Sequence, residues 1–155
     1  TIMIMIYVIF WNYRLINRSK YKGDPNKIKF RSGLELGFMK WCDNNNNVIK
    51  WNSEGFQIPY YSKLDNKNRR YIIDFWVQYS DGKQYLIEIK PEKQTSAPKA
   101  PKNKNKKAIH SYLYECYMWG VNKDKWTAAE IFATKKDMTF MIYTEKKLRN
   151  LGIAV

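Results

Sequence analysis

Arg70-Tyr71-Ile72-Ile73-Asp74-Phe75-Trp76-Val77, then Ser80-Asp81-Gly82-Lys83, then Tyr85-Leu86-Ile87-Glu88-Ile89-Lys90-Pro91, is the part of the chain whose reading decides the fold. Two apolar runs flank a tight turn, and each run carries one acid. An ionised carboxylate inside a buried strand is costly unless something pairs with it. Lys90, two residues after Glu88, is on the same side of its strand because side chains alternate with period two. Two acids and a lysine on adjoining strands form the layout expected of a metal-dependent phosphodiesterase site, which makes a nuclease the leading expectation.

The turn sharpens that expectation. A two-residue loop, Asp81-Gly82, would pair Asp74 with Ile89 and put the two acids on opposite faces. A three-residue loop, Ser80-Asp81-Gly82, pairs Tyr79 with Lys83 and Asp74 with Glu88, and places Gly82 at the left-handed position of a G1-bulge hairpin. Directly opposed carboxylates repel unless a cation lies between them. Hard oxygen ligands suit Mg²⁺ or Mn²⁺. The bland alternative pairs each acid with one of the many basic residues; both acids together, with Lys90 in phase, favour the site.

The composition points the same way. Lys and Arg number 28 against 14 Asp and Glu in 155 residues, a net charge of +14, which suits a polyanion, nucleic acid being the commonest. Aromatic residues make up 16%, which fits a packed single domain rather than a disordered basic tail. Cys42 and Cys116 are too few and too far apart for a disulfide framework or a zinc site. The lone His110 allows no Ser/His/Asp or Cys/His constellation. The apolar run Thr1 to Trp11 is shorter than the roughly 20 residues a membrane span needs. It lacks a basic flank and a small-residue cleavage site, so a secretory signal fits poorly. No membrane partner is expected, and residues 1–20 are set apart as an apolar and basic extension ahead of a single domain over 21–155.

Along that domain, Gly23-Asp24-Pro25 reads as a turn. Ser32-Gly33-Leu34-Glu35 reads as a capping box opening a helix, with Leu34, Phe38, Trp41 and Cys42 on its buried side and Asn44 to Asn47 ending it. Val48 to Tyr61 reads as two short strands or one bent strand, broken at Asn52-Ser53, with Pro59 near an edge. The central hairpin is expected from about Arg69 to Lys90. After Pro91, residues 92–107 read as a mobile basic loop, with Lys93, Lys99, Lys102, Lys104, Lys106 and Lys107 as its cations. A helix is expected from about Lys104 to Trp119, stopped by Gly120, and another from about Asn122 to Lys136. Thr139 to Tyr143 reads as a strand, followed by a short helix capped by Thr144. That order gives an α/β fold, a mixed sheet covered by helices.

Ile73-Asp74 followed by Glu88-Ile89-Lys90 resembles the motif of the PD-(D/E)XK nucleases, with isoleucine where many members carry proline. Arg31-Ser32…Glu35, Ser53-Glu54…Ile58-Pro59-Tyr60, Arg69-Arg70-Tyr71, Glu88-Ile89-Lys90-Pro91 and Asn122…Asp124-Lys125-Trp126 are similar to the head-completion nucleases of T-even-type bacteriophages. More distantly, they are similar to the endonuclease subunit of Tn7-type transposases. The resemblance runs from about Tyr21 to Gly152. It implies a restriction-endonuclease-like core, with Asp74, Glu88, the Ile89 carbonyl and Glu35 around Mg²⁺ or Mn²⁺ and Lys90 as the catalytic cation. Glu35 has a competing structural explanation as the third residue of the capping box. Glu54 is either a secondary acid of the site or an ion-pair partner of Arg69 or Arg70. Arg69, Arg70 and the lysines of the loop are expected to hold DNA phosphates without reading sequence.

The same resemblance implies phage head and portal proteins as partners, and the host cytoplasm during assembly, or the virion head, as the place of action. Members with a single site often pair to cut both strands, so a homodimer is allowed although no dimer surface is legible. The competing expectations are a DNA-end-binding assembly protein that does not cut, a transposase-like or junction-resolving nuclease, and a basic RNA-associated protein.

Overall fold

The computed structural model describes residues 11–155; residues 1–10, most of the apolar run, lie outside the described residues. The opening hairpin turns as the alternation requires. Strand β6 (Phe75–Tyr79) and strand β7 (Gln84–Ile89) are antiparallel, with Phe75 opposite Ile87 and Gln78 opposite Gln84. The Tyr79 N–H donates to the Lys83 carbonyl at 2.9 Å, and Gly82 has φ 87. The loop is therefore the three-residue form, which puts Asp74 across from Glu88 in register. Strand β3 (Val48–Ser53) flanks β6, and strand β8 (Thr139–Tyr143) runs parallel to β7, giving a four-stranded mixed sheet in the order β3-β6-β7-β8.

Side-chain alternation sends the strands' residues to two cores. Phe75, Val77, Ile87 and Ile89 meet Phe38, Met39 and Cys42 from helix α1 (Gly33–Asn44) and Leu148 from helix α3 (Glu145–Asn150). Leu86 and Trp76 point the other way, toward Ala129 and Ala133 of helix α2 (Lys106–Lys135). Helices thus cover both faces, as the α/β expectation requires. Capping matches the sequence at Ser32 and Thr144, whose side chains accept from the N–H groups of Glu35 and Lys147, and Asn105 caps α2 in the same way, accepting from the Ala108 N–H.

The hairpin's first arm departs from the expectation of one strand. Arg70 to Val77 is divided: strand β5 (Lys67–Ile72) pairs with strand β4 (Gln57–Ser62) in a separate two-stranded ribbon, and only from Phe75 does the chain join the main sheet. At the junction Glu54, Gly55 and Phe56 oppose Ile73 and Asp74, a bulge with one extra residue. Glu54 takes the left-handed conformation there, with φ 56, and its N–H donates to the Asp74 carbonyl at 3.0 Å. A bulge bends a strand and re-aims the side chain opposite it, and here that side chain belongs to Asp74. The break thus falls after Ser53 rather than at Asn52-Ser53.

Two further expectations are corrected. Gly120 does not end a helix: α2 runs unbroken for 30 residues through it. Glycine costs a helix interior up to about 1 kcal/mol, but a Cβ at 120 would come within 2.8 Å of the Leu64 side chain. The glycine admits the tip of the β4–β5 ribbon, which Asp124 also holds by accepting from the Lys63 N–H at 3.0 Å. The boundary at residue 20 also moves. Strand β1 (Trp11–Asn12) pairs with strand β2 (Lys29–Phe30), and Tyr13 and Leu15 are buried in the α1-side core. Among the described residues no helix is long and apolar enough to cross a membrane.

Candidate active site

The two acids come together on the α2 face of the sheet. Glu88 shares its face with Leu86 and is 5% exposed; Asp74, leaving the bulge, stands across from it. One Asp74 oxygen accepts from the Ile89 N–H at 2.8 Å, which fixes the carboxylate against β7. Lys90, in phase with Glu88, puts Nζ 3.3 Å from Glu88 Oε1. The other oxygen, Glu88 Oε2, makes no hydrogen bond of standard geometry, and the equally buried hydroxyl of Tyr71 from β5 faces the Glu88 carboxylate as the donor at hand.

The electrostatics follow from this crowding. Burial, then the neighbouring Glu88 charge, push the Asp74 carboxyl well above the usual carboxylate range. The Ile89 N–H and Lys90 pull the other way, and Glu35 adds to the rise. The Tyr71 phenol is likewise pushed up, by burial first and then by Glu88. Burial pulls the Lys125 ammonium down, with Glu88 foremost among the charges opposing it. The pair, Glu88 buried and Asp74 partly exposed, fits a hard divalent cation, which would relieve the repulsion between the two carboxylates.

The remaining expected residues fall into distinct places. Glu35 is near enough for Asp74 to feel its charge, yet its carboxylate accepts from the Arg31 N–H at 2.9 Å, one residue ahead of the Ser32 cap, and so braces the start of α1. Among the described residues no three His, Cys, Asp or Glu side chains converge into a ready metal cage. Glu54 pairs with Arg31, not with Arg69 or Arg70. Arg31 also feels Glu35 and Asp74, so the pair borders the acids. Arg69 is taken by Asp65 at 2.6 Å; Arg70 is exposed and in no ion pair among the described residues. Lys93, in a 3-10 turn, and Lys99, Lys102 and Lys104, in irregular backbone, are exposed; Lys106 and Lys107 belong to the first turn of α2 rather than to the loop.

Sequence reasoning assigned no role to Arg31, Tyr71 or Lys125. Lys125 lies on α2 with its ammonium over the Tyr71 ring, 5.4 Å from the centroid. The one available signal was Tyr71 itself, an aromatic flanked by arginines and aliphatics on the strand leading to Asp74.

Comparisons with known proteins give the family. The model of the TnsA-like endonuclease N-terminal family matches residues 45–145, a stretch that holds Glu54, Asp74, Glu88, Lys90 and Lys125 and leaves Glu35 outside. The head completion nuclease of Enterobacteria phage T4 is 45% identical over 136 residues, covering 88% of this chain and 91% of that protein. With the restriction-endonuclease-like sheet and the opposed acids of its central hairpin, the chain belongs to the TnsA-like endonuclease family.

Proposed function

We propose that the protein is a metal-dependent DNA endonuclease of phage head completion, hydrolysing phosphodiesters at the Asp74–Glu88 pair. The observation that carries this reading is the opposed acid pair, Asp74 across from Glu88, with Lys90 Nζ 3.3 Å from Glu88 Oε1. Asp74, Glu88 and the Ile89 carbonyl would hold Mg²⁺ or Mn²⁺, with Glu35 completing the set by turning from the Arg31 N–H. Such an ion supplies a bound water of lowered pKa and neutralises charge gathering on the phosphate. The Ile89 N–H holds the Asp74 carboxylate in orientation. Lys90 orients the attacking water or stabilises the charged transition state as a cation. Products would carry a 5′-phosphate and a 3′-hydroxyl.

DNA would be held by Arg70 and the lysines of 93–107 through phosphate contacts, so binding would weaken steeply with salt. Arg69 would contribute only after releasing Asp65. The likeness to the phage T4 protein supports a role in head completion, with head and portal proteins as partners and the host cytoplasm, then the head, as the place of action.

The test is incubation of the purified protein with linear and supercoiled DNA, with Mg²⁺ or Mn²⁺ and then with EDTA, beside Asp74→Ala. Metal-dependent cutting absent from the variant is the expected result. Binding without cutting, equal in both proteins, would replace the nuclease by a DNA-end-binding assembly protein.

A further inference from the structure

Beside the acids, between the β4–β5 ribbon and α2, an open groove of about 650 Å³ is lined by Tyr60, Arg69, Arg70, Tyr117, Met118 and Lys125 among others. Its wall acid, Asp65, is already satisfied: Arg69 pairs with it and the Tyr117 hydroxyl donates to it at 3.0 Å. The cations left over are Arg70 and Lys125, neither in an ion pair among the described residues. Lys125 belongs to both places: it lines the groove, and its ammonium rests on the ring of Tyr71, the residue whose buried hydroxyl adjoins the Glu88 charge. Lys125 feels Glu88 and Asp74 but forms an ion pair with neither, so its ammonium is left to meet an anion that enters by the groove.

Resting on the nuclease reading above, we propose that this groove takes a single strand of DNA, with Arg70 and Lys125 on successive backbone phosphates and the exposed Tyr117 ring beneath a base. A volume of this order holds a drug-sized ligand, the bulk of one or two nucleotides of a single strand. Cations tracking a backbone beside an aromatic platform are the elements of single-strand recognition. The substrate class follows: DNA with an unpaired segment at the cut, such as a frayed end or flap, is bound in preference to continuous duplex.

The test is fluorescence anisotropy in EDTA, where nothing is cut, with a short single-stranded oligonucleotide and a blunt duplex of the same sequence. Wild type is compared with Arg70→Ala, Arg70→Lys, Lys125→Met, the double variant Arg70→Ala/Lys125→Met, and Lys123→Ala as an exposed-charge control. The double variant should lose roughly tenfold in single-strand affinity, and its salt slope should fall by about 0.7 for each phosphate contact removed. Duplex affinity, still supported by the lysines of 93–107, should fall by a clearly smaller factor, Arg70→Lys should restore most of the loss, and Lys123→Ala should have little effect. Equal losses on strand and duplex, no loss, or as large a loss from Lys123→Ala would overturn the groove. If Lys125→Met does not fold by circular dichroism, the Arg70 variants on the exposed ribbon carry the same comparison. Failure here leaves metal-dependent cutting to its own assay.

Discussion

The molecule buries carboxylates in two places and treats them in opposite ways. Asp43, on α1, is fully buried, and its oxygens accept from the Tyr13 hydroxyl at 2.9 Å and from the N–H groups of Ile16 and Asn17 at 2.8 and 2.9 Å. Every donor that surrounds it comes from the segment it pins. Asp74 and Glu88 instead face each other, with one backbone donor, one lysine and the Tyr71 hydroxyl beside them. Buried polar groups are normally satisfied; Asp43 meets that rule with three donors, whereas the opposed pair keeps its mutual repulsion. The number of donors, more than burial, is what sets the two places apart.

The contrast can be broken most sharply by removing one acid from each place. Asp74→Ala or Glu88→Ala should reduce cleavage by on the order of a thousandfold or more, the rate equivalent of about 4 kcal/mol, while leaving the melting temperature unchanged or higher, because a buried repulsion is relieved. Lys90→Met should slow cleavage by roughly a hundredfold or more yet leave metal binding intact, as calorimetry would show. Asp43→Ala should do the reverse of both. Losing three bonds to buried or half-buried donors costs on the order of 3 kcal/mol, a fall in melting temperature of roughly 10 °C for a domain of this size, with the cleavage rate per folded molecule preserved. A variant of Asp43 that melts normally but cannot cut would erase the distinction.

The smallest effect lies in the pH dependence of the metal-free protein. The Asp74 carboxyl is raised above its ordinary 3.8 in the folded state, so over the window between that value and the raised one the native state holds the proton more tightly than the unfolded chain. Stability from this group is therefore lost as pH rises through the window. The difference in unfolding free energy between wild type and Asp74→Asn, followed from pH 4 to pH 8 in EDTA by urea titration, should widen against the wild type as pH rises. A flat difference would mean that the acid pair is better satisfied than its geometry indicates.

The hairpin register was legible because only the three-residue loop puts Asp74 opposite Glu88, and Gly82 marked its left-handed position. The caps at Ser32 and Thr144 were legible for a similar reason, a hydroxyl residue ahead of a periodic segment. What stayed hidden depends on contacts distant in sequence. Gly120 reads as a stop until Leu64 is seen packing against it, and the bulge at Glu54–Phe56 exists only relative to Ile73 and Asp74 across the ribbon. Asp43 sits between helical apolar residues and looks like surface until Tyr13 and Asn17 fold over it. At the site, Asp74, Glu88 and Lys90 were visible as a motif. Tyr71, Lys125 and the Arg31–Glu54 pair needed the ribbon and α2 to be placed in space.

The most direct test of the central claim is isothermal titration calorimetry of Mn²⁺ into the wild-type protein and into Asp74→Ala and Asp43→Asn, each confirmed as folded. The account requires saturable binding in the wild type, retained in Asp43→Asn and abolished in Asp74→Ala. Equal binding in wild type and Asp74→Ala, or none in any of them, would contradict it.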